Sequence, residues 1–105
     1  MITTKHLNDK RVTVLFQKAG AENPKFAKTR VGQTILWLVY SGEKGITALE
    51  VSSWAFRLAD YIHTLRHDYG LNIITIKEAH DGGHHGRYIL RDAVKILQIN
   101  NQSLC

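Results

Sequence analysis

The feature that most constrains this chain is a change of hydrophobic pattern between Ile46 and Leu90. Apolar residues recur at helical spacing as far as Gly70, and a β-branched run, Ile73–Ile76, then begins. A stretch rich in glycine and histidine separates that run from a second one, Arg87–Leu90. The order predicts two helices followed by a β-hairpin, and hence a fold of mixed α and β structure.

Two helices are predicted in the first half of this region. Thr47 and Glu50 have the spacing of a capping box, and they predict a short helix over about residues 48–52. A longer helix is predicted from Ser53 to about Asp68. Its buried stripe is predicted to consist of Trp54, Leu58, Tyr61, Ile62 and Leu65. Its opposite face carries Ser53, Phe56, Arg57, Asp60, His63, Thr64 and His67.

The hairpin is predicted to have strands at Leu71–Lys77 and Arg87–Leu90. The nine residues between them are too many for a minimal two-residue turn. The hairpin is therefore predicted to end in an extended tip, whose glycines allow the backbone to approach a ligand closely.

A further helix is predicted from Thr29 or Arg30 to Tyr40, and it is apolar on nearly every side. A helix of that kind is covered on more than one side. Either the N-terminal segment or a second copy of the chain is expected to cover it. The glycines of Ser41–Gly45 are predicted to end it.

The chain ends are predicted to extend this domain. Residues 1–28 are interpreted as an N-terminal extension that is helical, although Val12–Val14 would suit a strand equally well. Residues 29–99 are interpreted as the main domain, with a final helix over Arg91–Ile99. Residues 100–105 are expected to fray.

Length and charge limit the class of protein. A chain of 105 residues builds one modest core and leaves no room for a separate ligand-sensing domain. Its net charge of +5 favours a polyanionic partner.

One cysteine, Cys105, excludes an intramolecular disulfide and fits a reducing cytoplasm. No signal peptide and no apolar stretch of membrane-spanning length are visible, so a soluble cytoplasmic protein is expected.

No catalytic motif is present: the chain lacks Gly-x-Ser-x-Gly, a P-loop and His-Glu-x-x-His, and we expect neither an enzyme nor a bound cofactor.

A metal site is the alternative for the histidine-rich tip. Its candidate ligands are His80, Asp81, His84 and His85, with Cys105 as a fourth position. Zinc ligands are usually held rigid by neighbouring groups, whereas these lie in a glycine loop, and we predict no metal site there.

The segment from Arg57 to Arg66, with Gly70 and Ile73 after it, resembles a winged helix-turn-helix family of bacteria and their phages. That family shows Arg-Leu, Ile and Leu-Arg along its second helix, a glycine at the helix end and an isoleucine entering the wing. The resemblance covers roughly residues 30–90. It implies an α+β fold with a three-helix core and a β-hairpin wing, here with extra N- and C-terminal helical segments.

The resemblance also implies binding of double-stranded DNA, with the helix from Ser53 as recognition helix. It places Arg57 at the DNA-facing end, while Arg66 either braces the wing or touches phosphate. The predicted DNA contacts are Ser52, Ser53, Phe56, Arg57, Asp60, Thr64, Lys77, His84, His85 and Arg87.

The chemistry of these residues leaves alternatives open. Arg57 suits a guanine edge or a phosphate, but it can also pair with Asp60 or Glu50. Phe56 suits a thymine methyl group, although packing against the shorter helix is the more common use of such a side chain. The wing suits the DNA backbone or minor groove, or is only a mobile turn.

Two functions fit this sequence. The first is a small transcriptional regulator that binds DNA as a homodimer. The predicted dimer surfaces are the apolar side of the 30–40 helix and the C-terminal helix. The alternative is a module of the same fold that binds another protein, with Phe56, Trp37 and Tyr40 as anchors.

Overall fold

The computed structural model describes residues 2–51, 57–80 and 83–104, with only the backbone of His80 and of residues 83–85. Its helices are α1 (Thr4–Leu7), α2 (Thr29–Ser41) and α3 (Leu58–His67), with a 3₁₀ turn at Gly42–Lys44. Its strands are β1 (Thr13–Lys18), β2 (Lys25–Lys28), β3 (Ile46–Thr47), β4 (Ile73–His80), β5 (Gly83–Leu90), β6 (Val94–Ile99) and β7 (Gln102–Ser103). One antiparallel sheet has the order β2-β1-β6-β7, and a second has the order β3-β5-β4.

Helix α2 is the centre of the core, and it contacts both sheets as well as α1 and α3. Ile35, Leu36 and Leu38 on it are fully buried. The N-terminal segment covers part of the helix, because Trp37 Nε1 donates a hydrogen bond to the Leu7 carbonyl oxygen at 3.0 Å. The predicted helix is confirmed, and so is its end at Gly42, where φ is +55°.

The helix predicted in the early segment is wrong. Val12, Val14 and Phe16 are all buried, which is the period of two expected of a strand with one face on a core. They lie in or next to β1, which pairs with β2 on one side and β6 on the other. Val12, Leu15 and Phe16 also have the spacing of a helix, but Leu15 is only half-buried and does not belong to the buried face of the strand.

The predicted C-terminal helix is also wrong, and a β-bulge explains why. Val14 pairs with Ile99, but Phe16 pairs with Ile96, so the register shifts and Leu97 has no partner across the ladder. Ile96 and Ile99 therefore both face the core although they are three residues apart. That spacing imitates the repeat of a helix.

The tail expected to fray contains strand β7. Its tight turn with β6 is formed by Asn100 and Asn101, with φ of +53° and +66°. Type I′ turns need positive φ at both positions, and asparagine tolerates it better than most residues. Asn100 is also tied to β1, since its Oδ1 accepts a hydrogen bond from the Thr13 amide at 2.9 Å. The pairing of β1 with β6 crosses the division proposed at residue 28, and the limits of the domain stay a prediction.

The short helix predicted over 48–52 is wrong as far as residue 51, where the described segment ends. Ile46 and Thr47 form strand β3 against β5, and the next three residues form a turn. Half of the predicted capping box is present, because the Thr47 amide donates to Glu50 Oε1 at 3.0 Å. The three-helix core is therefore not confirmed, since β3 and a turn occupy the described part of the middle helix.

Helix α3 has the predicted buried stripe: Leu58, Ile62 and Leu65 are at most 1% exposed, and Tyr61 is half-buried. The expected start at Ser53 and the packing of Trp54 lie outside the described residues. Helix α3 packs against α2. None of the described helices combines the length and the apolar character that crossing a membrane would need.

The hairpin has longer strands and a shorter connection than predicted. Strands β4 and β5 pair without interruption from Ile73 with Leu90 to His80 with Gly83. The extended tip of about nine residues is therefore wrong. The outer half of the β4–β5 hairpin does not show the apolar alternation of a strand that covers a core, because Lys77 and Ala79 there are exposed.

Candidate nucleic-acid interface

The outer face of α3 is polar and open to solvent. Asp60, His63 and His67 are exposed on it, and Thr64 is half-buried. Thr64 Oγ1 donates to the Asp60 carbonyl oxygen at 3.2 Å, which leaves its oxygen able to accept a further hydrogen bond. The predicted polar face is thus brought together on one side of the helix.

Arg57 is exposed and immediately precedes α3, so its side chain starts at the helix N-terminus. Glu50, one of its two predicted partners, instead lies 3.1 Å from Arg87 Nη1. The N-terminus of a helix favours anions such as phosphate. The position combines an arginine with that positive end of the helix dipole.

Arg66 joins the end of α3 to the hairpin. Its Nε and Nη2 donate to the Ile73 carbonyl oxygen at 2.8 and 2.6 Å, and Nη2 also donates to Thr75 Oγ1 at 2.7 Å. Both acceptors lie at the start of β4. Of the two roles expected for Arg66, the structure gives it the bracing role, and the helix and the hairpin therefore have a fixed mutual orientation.

Arg87 lies in an ion-pair cluster rather than at an open surface. Its Nε donates to Glu78 Oε2 at 2.7 Å, and its Nη1 donates to Glu50 Oε1 at 3.1 Å and to the Lys44 carbonyl oxygen at 3.2 Å. The hydrogen bond that Arg87 donates to Glu78 is the largest cause that raises the pKa of Arg87 above its ordinary value. Arg87, a predicted DNA contact, thus has partners within the chain, and it ties the hairpin to the turn after β3.

Lys77 is exposed on β4, opposite Gly86. Because side chains alternate along a strand, Lys77 shares a face with Thr75, which contacts Arg66. Lys77 therefore lies on the face of the ribbon that Arg66 of α3 reaches, two residues farther toward the tip. A cation there extends the surface that begins with the outer face of α3.

Half of the predicted site residues lie outside the described side chains. They are Ser52, Ser53, Phe56, His84 and His85, of which the last two have their backbones paired with Ala79 and Glu78 in the hairpin. The proposed metal ligands at the tip and Cys105 also fall outside. Among the side chains that the structure does describe, no three His, Cys, Asp or Glu are grouped as metal ligands.

A long-range cluster that the sequence did not predict holds the end of α3 against the first sheet. Lys18 Nζ donates to the Gly70 carbonyl oxygen at 3.0 Å and lies 3.7 Å from Asp92 Oδ2. Asp92 in turn accepts from the Asn72 amide at 2.7 Å. These residues lie on three segments far apart in the chain, and no local pattern signals their meeting.

Tyr69 adds a second anchor at the same place. Its hydroxyl donates to the Phe26 carbonyl oxygen at 2.9 Å, and its ring lies 5.7 Å from that of Phe16. Burial, and then the charge of Asp68, raise the pKa of this phenol above its ordinary value of 10.0. The C-terminal end of α3 is therefore fixed to both sheets.

The positive charge is not confined to this face. Six exposed cations lie on or beside the N-terminal helix and the first sheet: Lys5, Lys10, Arg11, Lys25, Lys28 and Lys95. Net charge alone therefore does not select the face that binds an anion.

Comparison with known proteins gives one positive result. The model of the winged helix domain family matches residues 25–100, which include α2, α3, the β4–β5 hairpin and β6. No curated protein and no solved structure gives a significant match. The match confirms the resemblance to a winged helix family that the spacing along α3 suggested.

Proposed function

The chain belongs to the winged helix domain family, and we propose that it binds double-stranded DNA through α3 and the β4–β5 hairpin. The observation that carries this proposal is the bracing of one element by the other. Arg66 fixes the start of β4 against the end of α3, so a polar helix face and a strand with the exposed cation Lys77 form one rigid surface. A helix for the major groove beside a hairpin for the backbone is a known DNA-binding arrangement.

In this proposal α3 enters the major groove. Arg57 contacts a guanine edge or a phosphate at the helix N-terminus, and Asp60 and Thr64 face base edges about one and two turns further along. Asp60 suits the exocyclic amine of cytosine, because its carboxylate only accepts hydrogen bonds. Ser52, Ser53 and Phe56 remain candidate contacts on the segment before the helix.

The hairpin contacts the DNA backbone in this proposal. Lys77 supplies charge for a phosphate, and His84 and His85 are the further candidates near the tip. Arg87 has a different role from the one first predicted: it holds the hairpin in place through Glu50 and Glu78. We therefore include Arg87 in the site as a positioning residue.

Transcriptional regulation by a homodimer is the physiological role that we propose for this binding. One small winged module buries a limited area on DNA, and a twofold assembly would read two half-sites. Tyr40, which is 61% exposed on α2, marks the predicted dimer surface. The C-terminal half of that predicted surface is strand rather than helix.

Fluorescence anisotropy across a salt series tests the proposal, with a labelled random duplex of about 25 base pairs starting at about 50 mM salt. We expect binding that weakens steeply as salt rises. Arg57→Gln and Lys77→Gln should each weaken binding several-fold, and loss of a phosphate contact should reduce the slope by about one unit.

Lys10→Gln is the matched control, because it removes an equal charge from an exposed loop away from α3. If all three variants weaken binding equally, the protein binds DNA through general charge and the proposed surface is wrong. Absence of binding at the lowest salt would contradict DNA binding altogether.

A second candidate function is binding of another protein. It is favoured by a groove of about 490 Å³ beside α2, lined by Trp37, Tyr40, Ser41, Lys44, Gly45, Ile46 and Glu50. Leu49, next to this groove in the chain, is 74% exposed. This function requires that Tyr40→Ala and Leu49→Ala abolish binding of the partner while Arg57→Gln retains it. If the protein binds DNA as proposed, Arg57→Gln should weaken DNA binding, whereas Tyr40→Ala and Leu49→Ala should retain it.

A further inference from the structure

His63 and His67 form a stacked pair on the outer face of α3. Their ring centroids lie 4.1 Å apart with an interplanar angle of 38°. Both residues are exposed, and neither imidazole is hydrogen-bonded within the part of the chain that the structure describes. Both are on the predicted polar face, but neither is among the predicted DNA contacts.

The spacing of the pair is set by the helix. Residues four apart lie on the same face of an α-helix, one turn above each other. Leu65 and Ile62, on the opposite side, are fully buried, and Arg66 and Tyr69 tie the end of the helix to both sheets. The backbone that carries the two imidazoles is therefore held in place before any ligand arrives.

We propose that His63 and His67 together bind one divalent transition-metal ion of the Zn²⁺ class. Zinc takes imidazole nitrogens at about 2.0–2.1 Å, so two such ligands in a tetrahedral site lie about 3.3 Å apart. Ring centroids 4.1 Å apart place both imidazoles within reach of one ion, once the side chains rotate so that one nitrogen of each ring faces it. Two histidines at this spacing on one helix face also supply zinc ligands in metalloproteases.

The chemistry of the two ligands selects the class of metal ion, and their number determines how readily the ion exchanges. Neutral imidazole suits zinc, copper and nickel, whereas magnesium and calcium prefer oxygen ligands. No third ligand joins the pair among the described side chains, so water completes the coordination sphere. The site is therefore open and exchangeable.

The location gives this site a consequence that rests on the proposed function. The bound ion would add two positive charges to the face that α3 presents to DNA, and its open positions would point outward. Phosphate oxygens or guanine N7 can fill such positions. We therefore expect the ion to tighten DNA binding by this chain.

The metal alone tests the site. Zn²⁺ is titrated into the whole chain while the imidazole nitrogen resonances are followed by NMR. The His63 and His67 resonances should shift together and saturate at one ion per chain, and His67→Gln should abolish the shift at His63. Because the chain has other histidines, His84→Gln/His85→Gln serves as a control and should leave the shifts intact.

A second variant separates spacing from histidine number. His67→Gln combined with Asp68→His keeps two histidines on exposed positions but moves them five residues apart, and it should not restore binding. Zinc binding that survives in this variant, or shifts confined to other histidines, would overturn the site.

Anisotropy with and without Zn²⁺ then tests the coupling to DNA. The ion should increase affinity several-fold in the wild type and leave His67→Gln unchanged. Equal affinities with and without zinc would overturn the coupling. If no DNA binds under either condition while the NMR titration saturates, the proposed function fails and the metal site stands.

Discussion

At the scale of single residues, Arg87 has the densest set of polar contacts among the hairpin side chains that the structure describes. It lies between Glu50 and Glu78, and its side chain is 20% exposed. Hydrogen bonds to charged groups contribute more than neutral ones, but partial exposure to solvent weakens the ion pairs. Removal of the guanidinium also leaves two carboxylates close together without the cation between them.

We predict that Arg87→Met lowers the free energy of unfolding by about 1–2 kcal/mol, measured by urea denaturation. Lys77→Met on the same ribbon is the control and should change it by less than about 0.5 kcal/mol. Equal effects of the two substitutions would show that the cluster contributes nothing beyond the loss of a surface charge.

Tyr69 gives a prediction about alkaline pH. Its pKa is higher in the folded protein than the ordinary value of 10.0, because the phenol is partly buried and lies near Asp68. A raised folded pKa means that the stabilisation is complete below about pH 10 and is lost as the pH rises through the folded pKa. The ionised oxygen cannot donate to the Phe26 carbonyl group.

We therefore expect Tyr69→Phe to cost about 1 kcal/mol of stability at neutral pH, and the difference from wild type to shrink above about pH 10. Urea denaturation at several pH values measures it, with Tyr40→Phe as the exposed control. A difference that grew with pH would contradict the assigned direction of the pKa change.

Some of these residue roles could be predicted and others could not. The resemblance to a winged helix family implied that Arg66 either braces the wing or touches phosphate. The sequence shows the charge of Arg87 but not the partners of that charge. Glu50, which neutralises it, is 37 residues away in the chain.

At the scale of elements, Gly45 shows how closely two backbones approach. Its φ is +69°, and a Cβ atom there would overlap the Tyr88 carbonyl oxygen and lie 2.6 Å from Ile89 Cγ1. Gly42 also has positive φ, +55°, but an added Cβ would meet nothing within 4 Å. The two glycines share the backbone requirement and differ in the space around them.

We predict that Gly45→Ala destabilises the protein by about 3 kcal/mol or more, against about 1 kcal/mol for Gly42→Ala. The midpoints of thermal unfolding measure the difference. Equal losses would mean that β3 is free to move away from β5, and the position of the hairpin would then be less fixed than the contacts indicate.

The element predictions succeeded where one pattern dominated. Helix α2 follows the helical period over more than three turns, and the buried stripe of α3 follows it over about two. The two terminal segments were misassigned because strands β1 and β6 have apolar residues at spacings of three as well as two. The bulge at Leu97 appears only when the two strands are paired.

At the scale of the whole molecule, the fold joins two sheets around α2 and holds α3 between anchors on both. Lys18 and Tyr69 link the first sheet to the end of the helix, and Arg66 links the second sheet to it. The family and its helix-plus-hairpin surface could be predicted from local spacing. The anchors could not, because each joins residues that only the complete topology brings together.

The central claim is that α3 and the β4–β5 hairpin form one DNA-binding surface. Amide chemical shifts of the labelled protein, followed during titration with a short duplex, test it most directly. The account predicts changes along Leu58–His67 and around Lys77, with β1 and β6 unaffected. Changes concentrated near Tyr40 and Leu49, or no change at low salt, would contradict it.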